Sequence, residues 1–295
     1  MSKIFHILNP SQRQEAWVRN LLDSADLGLW AWVSRDHPAH TETLLDWALR
    51  ESMQRLVVWG GDGTFHRVVQ GLWERKALDK MELALVPVGT CNDLARFYGL
   101  SKAFWHQWHM PYPRGRLAPL FLSRLRWKNP KAGDKKNGQE VVFINNAGFG
   151  RPHPSFEKKE PAWKVLFSFK PLRLKAHWAD GELQGLYYMM LACNAPYFSG
   201  GLHFEKDISP EEGLLRFYFL PARSKLRLAA RLLRGRLGWT LGRDKTTKIT
   251  TNEMTIEAEP AVSPQADGEP PPENPVTTLE FKVLPQRVQL WVPAS

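Results

Sequence analysis

Apolar and polar positions change period along this chain near residue 110. Before that point, short apolar runs over 4–8, 29–33, 55–59 and 81–86 read as buried strands. Between them, 14–22, 41–51, 65–74 and 92–98 carry apolar residues at helical spacing, as in Phe65, Val68, Val69 and Leu72. Strands alternating with helices predict a parallel sheet with helices on both faces. Near 105–119 the pattern breaks into aromatic, Pro- and Gly-bearing sequence (Met110-Pro-Tyr-Pro-Arg-Gly115), which reads as a crossing into a second domain. Beyond it strands dominate: 120–127, 140–145, 186–192, 214–220, 246–251, 254–259, 277–283 and 287–292. The first two flank a basic loop, 128–138, as a hairpin, and the whole predicts an antiparallel β-sandwich. The expected fold is therefore α/β plus β, with an N-terminal parallel-sheet domain over 1–115 and a sandwich over 116–284.

Two of the predicted strands run into glycine-centred turns. Leu56-Val-Val-Trp is followed by Gly60-Gly61-Asp62-Gly63-Thr64, and Leu83-Ala-Leu-Val by Pro87-Val-Gly89-Thr90-Cys91-Asn92-Asp93. Glycines there permit positive φ and close approach of another group to the backbone. Each turn opens a helix, whose first N–H groups attract an anion. Adjacent strand–loop–helix units put both turns on one carboxyl edge of a parallel sheet, which predicts a phosphate site. Asp62 would stand beside a bound polyphosphate and hold a divalent ion; its plainer role is a turn Asp bonded to its own backbone. Asn92 or Asp93 would cap the second helix.

These turns carry a family resemblance. Gly60-Gly61-Asp62-Gly63-Thr64 followed by Pro87-x-Gly89-Thr90-x-Asn92-Asp93-x-Ala95-Arg96 resembles the catalytic domain of the diacylglycerol and sphingosine lipid kinases in their soluble bacterial form. Asn9-Pro10-Ser11, Asn145-Asn-Ala-Gly148-Phe-Gly150, Ser209-Pro-Glu-Glu-Gly213 and Gln265-Ala-Asp267-Gly268-Glu269 resemble further motifs in family order. The resemblance implies a nucleotide-binding domain of the NAD kinase and diacylglycerol kinase type, followed by a lipid-binding sandwich. It implies that 285–295 returns to the first domain. It implies ATP and Mg²⁺ as cofactors, with Asn9, Ser34, Gly61, Asp62, Gly63, Thr64, Gly89 and Thr90 binding nucleotide. Asp267 would then be the general base, with Glu269 near the metal or orienting the acceptor; Asp62 would hold the Mg²⁺ at the phosphates, and Glu212, beside Glu211, would be a ligand of a structural Mg²⁺. The pattern departs from the family at Gln12, His66-Arg67, Arg151 and the Glu211-Glu212 pair, where Asp is usual.

Forty Lys and Arg against thirty Asp and Glu leave a net charge of +10, which calls for anionic partners. Basic residues are scattered and no nucleic-acid motif occurs, so nucleic acid is not expected. Thirteen Trp and two basic amphipathic stretches, 163–174 and 224–236, suit contact with an anionic membrane surface, although each stretch also reads as a helix packed on its own domain. No apolar run approaches the roughly 18 residues of a membrane span. Two cysteines, Cys91 and Cys193, give no disulfide framework, and Met1-Ser-Lys leads straight into a strand; a cytoplasmic, peripherally membrane-associated protein is expected. His37, His40 and His203 show no metal spacing, and no Gly-Lys-Ser or Gly-Lys-Thr of a Walker A loop occurs.

The expected activity is transfer of a γ-phosphate to a lipid hydroxyl, most readily diacylglycerol or a related glycerolipid, in a cleft between the domains. Two alternatives stay open: a kinase of a soluble acceptor, since NAD kinases and phosphofructokinases also carry Gly-Gly-Asp-Gly, and a nucleotide-binding regulator without turnover. The sequence leaves the acceptor, the nucleotide preference and the oligomeric state open.

Overall fold

The computed structural model describes residues 3–9, 29–32, 40–101, 115–128, 139–150, 169–198, 200–203, 205–225, 230, 246–268 and 274–294. The chain divides into two compact units, Met1–Phe121 with Pro285–Ser295, and Leu122–Leu284.

In the first unit, β1 (Ile4–Leu8), β2 (Leu29–Trp32), β3 (Arg55–Gly60) and β4 (Glu82–Pro87) form a parallel sheet. The end of β16 (Val276–Pro293) joins it through Gln289↔Glu82 to Trp291↔Ala84, giving the order β16-β4-β3-β1-β2. Its central strands read as nearly unbroken apolar runs because both faces are covered: Leu56, Val57, Val58, Leu83, Ala84 and Leu85 are wholly buried. Helices α1 (His40–Arg50), α2 (Asp62–Glu74) and the short α3 (Asp93–Phe97) follow β2, β3 and β4. The apolar side of α1 buries Leu45 and Ala48, that of α2 Phe65, Val68, Val69 and Leu72. At the amino edge, Arg55 lies over the Trp291 ring, 4.4 Å from its centroid, and pairs with Glu82, which fixes β16 against the sheet.

The second unit is antiparallel. Strands run in the order β13 (Thr247–Thr251), β12 (Leu215–Pro221), β9 (Gly181–Cys193), β8 (Leu172–Trp178), β14 (Glu253–Val262) and the start of β16. Strand β9 changes partner on one edge. Gly181–Tyr187 pair with β8, whereas Met190–Cys193 pair with β7 (Asn146–Phe149). That split opens two layers, and alternate residues of β9 serve two cores. Met190 and Ala192 point with Phe217, Phe281 and Ile256 into the main one, while Met189, Leu191 and Cys193 join Phe169, Phe198 and Tyr218 in a smaller one. β5 (Gly115–Lys128) and β6 (Gln139–Phe143) make the expected hairpin. Tyr197–Phe198 (β10) pairs with Leu202–His203 (β11), and Gln265–Ala266 (β15) pairs with β7.

Three expectations change. The helix expected over 163–174 does not reach its end, because Leu172, Leu174 and Ala176 alternate with exposed Arg173 and Lys175 in β8; its residues 163–168 lie outside the described residues. The two strands expected over 277–283 and 287–292 are one, β16; Pro285, which has no N–H to give a ladder, falls where that strand leaves β14 for β4. Helix α2 begins at Asp62, three residues earlier than the apolar spacing suggested, so the glycine turn is itself the helix start. Most of 224–236 lies outside the described residues, and among the described residues no helix is long and apolar enough to cross a membrane.

Candidate active site

Parallel pairing brings the carboxyl ends of β1, β3 and β4 to one edge, and with them Asn9, Gly61 and Val88. Asn9 N–H donates to Trp59 O at 2.9 Å, and Val88 N–H to Gly60 O at 3.1 Å, so the exits from the three strands are stitched together. The Asn9 amide reaches across to the next motif, its Nδ2 donating to Thr64 Oγ1 at 2.8 Å.

The glycines here are required by contact and not by φ. Gly61 is extended (φ −96°, ψ −171°), which corrects the expectation of positive φ. A β-carbon on Gly60 would lie 2.4 Å from Thr64 Cβ, and one on Gly89 2.3 Å from Gly61 Cα. The two turns therefore touch backbone to backbone. Gly61, at the N-cap position, has no side chain to cap α2, whose first turn holds Asp62, Gly63 and Thr64, and Thr90 stands exposed on the neighbouring turn. The first turn at the start of a helix of this length suits a phosphate.

The acidic and amide side chains have unexpected partners. Asp62 Oδ2 accepts from Asp93 N–H at 2.9 Å and Oδ1 from Leu94 N–H at 3.2 Å, so a carboxylate of the first turn caps the helix of the second. Asn92, expected as a cap, sits in the left-handed region (φ 50°, ψ 47°) and makes no side-chain cap. Its amide closes on Gly89 instead, Nδ2 donating to Gly89 O at 2.7 Å and Oδ1 accepting from Gly89 N–H at 3.1 Å. Asp93 is buried and takes Arg96 at 3.0 Å. Of the divergent positions after the first turn, His66 is buried and Arg67 exposed.

In the second unit, Asp267 follows β15 with φ 50°. Its Oδ2 accepts from Ile144 N–H at 2.7 Å, and its Oδ1 from Asn145 and Asn146 N–H at 2.8 and 3.0 Å. Three successive amides thus cradle the carboxylate, and Asp267 N–H returns a bond to Asn146 O at 2.8 Å. The same bend is gripped from its other side by Asn194, whose Nδ2 donates to Ile144 O and whose backbone N–H donates to Asn145 O, both at 2.8 Å. No sequence pattern singled out Asn194. Gly148 and Gly150 lie flat on β9, where a β-carbon would meet Met190 O at 2.3 Å and Tyr188 O at 2.2 Å.

Of the anticipated site residues, Asn9, Gly61, Asp62, Gly63, Thr64, Gly89 and Thr90 gather at the first unit's edge. Ser34 and Glu269 lie outside the described residues. Glu212 Oε2 accepts from Arg216 Nη2 at 2.7 Å, and Ser209 Oγ accepts from Glu211 N–H at 3.2 Å. Among the described residues no three His, Cys, Asp or Glu side chains come together to hold a metal ion. The donor set at the glycine edge, one carboxylate beside backbone amides, fits an ion that arrives with phosphates better than an all-protein cage.

Residues 7–110 match the diacylglycerol kinase catalytic domain, and residues 156–292 the YegS C-terminal NAD kinase beta sandwich-like domain. The chain thus carries a diacylglycerol kinase catalytic domain followed by a YegS-type C-terminal domain. YtlR of Bacillus subtilis, provisionally named a lipid kinase, is 24% identical over 312 residues, spanning 91% of this chain and 94% of YtlR. A Pseudomonas fluorescens protein named probable lipid kinase YegS-like is 26% identical and spans 99% of this chain and 95% of its own. The crystal structure of a diacylglycerol kinase from Bacillus anthracis superposes with a TM-score of 0.70 over 98% of this chain and 96% of that one; at 16% identity it bears on the fold alone. The two matched domains agree with the two-domain, α/β plus β-sandwich architecture.

Proposed function

We propose that the protein transfers the γ-phosphoryl group of ATP to the hydroxyl of a membrane lipid, diacylglycerol or a related glycerolipid. The observation that carries this reading is the pair of fused glycine turns, Gly61 against Gly89, at the start of α2 on the carboxyl edge of a parallel sheet. Backbone N–H groups of the first turn of α2, the Gly89-Thr90 turn and Thr64 would take the phosphates, and Asn9 and Ser34 further parts of the nucleotide. The lipid oxygen forms its bond to the γ-phosphorus as the bond from that phosphorus to the β–γ bridging oxygen breaks; ADP leaves, and the hydroxyl proton passes to Asp267. A Mg²⁺ ion held by phosphate oxygens, with Asp62 as the protein carboxylate at this edge, would neutralise charge that develops on those oxygens. Three N–H donors fix the direction of the Asp267 carboxylate, which this reading casts as the base. The net charge of +10 favours an approach to anionic membrane.

The test is transfer of labelled γ-phosphate from ATP in mixed micelles offering diacylglycerol, phosphatidylglycerol, ceramide and sphingosine, with Asp267→Asn alongside. An organic-extractable label, lost in the variant, supports the reading. Label only in a water-soluble acceptor such as NAD, which the NAD kinase likeness of the second domain makes the natural rival, overturns the lipid assignment.

A further inference from the structure

We propose that Asp62 and Asn92 are positioning residues that turn the two glycine loops into a single nucleotide-binding element. Asp62 latches the second loop's helix to the first loop, and Asn92 closes the second loop on itself. This rests on the reading of the glycine edge as the nucleotide site.

Helix α3 provides no cap of its own, since Asn92 at its N-cap position faces Gly89. Its first N–H groups, on Asp93 and Leu94, are satisfied by a carboxylate from 31 and 32 residues earlier. That carboxylate fills the place an external anion would take on α3, which leaves the start of α2 and exposed Thr90 for phosphates. Asn92 supplies the other half of the arrangement. Its two bonds to Gly89 fix that peptide, and they require a left-handed conformation that Asn adopts more readily than other residues with a β-carbon. With Gly61 pressed on Gly89, the path of the second turn, and hence the place of exposed Thr90, depends on residue 62. Asp62 therefore has work to do before any metal ion is present.

The experiment compares wild type with Asp62→Ala, Asp62→Asn and Asn92→Gly in two measurements. Asn at 62 keeps an acceptor oxygen without the charge, and Gly at 92 keeps the backbone conformation without the clasp. Amide hydrogen exchange is followed at Asp93 and Leu94 without ligand, and ATP binding is titrated in EDTA and at rising Mg²⁺. Exchange at the two amides should quicken about tenfold in Asp62→Ala, equivalent to about 1.4 kcal/mol, and less in Asp62→Asn. ATP affinity should fall about tenfold in Asp62→Ala and Asn92→Gly already in EDTA, with the ratio of Asn92→Gly to wild type independent of Mg²⁺. Unchanged exchange at Asp93 and Leu94 in Asp62→Ala would overturn the latch. So would an ATP deficit that appears only with Mg²⁺ and closes as Mg²⁺ rises, since that is the behaviour of a metal ligand alone. Unchanged amide exchange in the second unit excludes global unfolding as the cause. If wild type binds no ATP in either buffer, the nucleotide reading fails while exchange at Asp93 and Leu94 still decides the latch.

Discussion

Replacing Gly89 by Ala should damage function far more than stability, and the geometry says by how much. A β-carbon at 89 would lie 2.3 Å from Gly61 Cα and 2.9 Å from both Gly61 N and Asn92 Oδ1. Two of those three atoms are backbone, so no rotamer change relieves the clash. Restoring ordinary contact at 3.4 Å means parting the two turns by about 1 Å. Overpacking of this kind costs about 1–3 kcal/mol, and the second turn can escape part of it by yielding at its bonds to Asp62 and Asn92. For a chain of this size that is a fall in melting temperature on the order of 2–10 °C. A displacement of about 1 Å between groups that hold one substrate can cost about 100-fold in rate. Gly99→Ala is the control: Gly99 has φ +66° with nothing within 4 Å of where a β-carbon would stand, so Ala there costs about 1–2 kcal/mol in backbone strain alone. Melting curves, ATP titration and phosphoryl transfer to lipid micelles are measured on both variants. The expected outcome is two comparably destabilised proteins, of which only Gly89→Ala loses nucleotide affinity and turnover. Turnover and ATP affinity within twofold of wild type for Gly89→Ala would refute the reasoning that close contact of the turns builds the site.

Buried His6, whose Nδ1 accepts from Trp59 Nε1–H at 3.0 Å, has its pKa lowered to about 3 by burial, from 6.5. Between those values the unfolded chain binds a proton that the folded one refuses, so this contribution is complete above pH 6.5 and falls as pH drops, by up to about 1.4 kcal/mol per pH unit. His6→Asn keeps an acceptor but not the titration, and urea unfolding at pH 7, 6 and 5 should show a shallower pH dependence than wild type. Asp267→Asn turns an amide NH₂ towards at least one of the three N–H donors it now accepts from; a loss of about 1–3 kcal/mol in urea unfolding is expected, and Asp267→Ala should lose at least as much. Gly150→Ala combines φ +85° with a β-carbon 2.2 Å from Tyr188 O, and should cost about 3 kcal/mol or prevent accumulation of folded protein, read by soluble yield and thermal melting.

What was legible in the sequence was whatever its period or its glycines dictate locally. The apolar runs of β1, β3 and β4 and the helical spacing of α2 place the parallel sheet and its edge without any knowledge of pairing. Strand β8 was misread because Leu172-Arg-Leu-Lys-Ala176 follows a stretch whose apolar residues fall at helical spacing in the sequence, and a short alternating run is outweighed in a wider window. The 18 residues of β16 read in sequence as two strands, 277–283 and 287–292, on either side of Pro285; nothing local reveals that one strand continues and changes partner at that point. At the site, glycine identity was readable but its cause was not. Positive φ is a property of one residue, whereas the Gly61–Gly89 contact joins loops 28 positions apart. Asn194 was missed for the same reason, since its grip on the bend at Ile144 exists only across β7 and β9.

Of the acidic residues that the motifs mark as catalytic, Asp62, Asp267 and Glu269, the first two share one structural habit. Asp62 accepts N–H groups 31 and 32 residues away, and Asp267 accepts N–H groups 121 to 123 residues away. Each carboxylate organises the backbone of another motif: Asp62 the turn that follows Pro87, Asp267 the bend that opens Asn145-Asn-Ala-Gly148. Removing either one takes away a charge from the proposed chemistry and a set of acceptors from the fold, so lost turnover by itself does not assign a role to Asp62 or Asp267. The separation comes from measurements in which the two functions diverge. A metal ligand answers to Mg²⁺ concentration and a general base to the pH profile of turnover, whereas a backbone anchor answers to neither and shows in amide exchange at its own donors. At Asp62 the latch can be read with no substrate present, which makes it the place to begin.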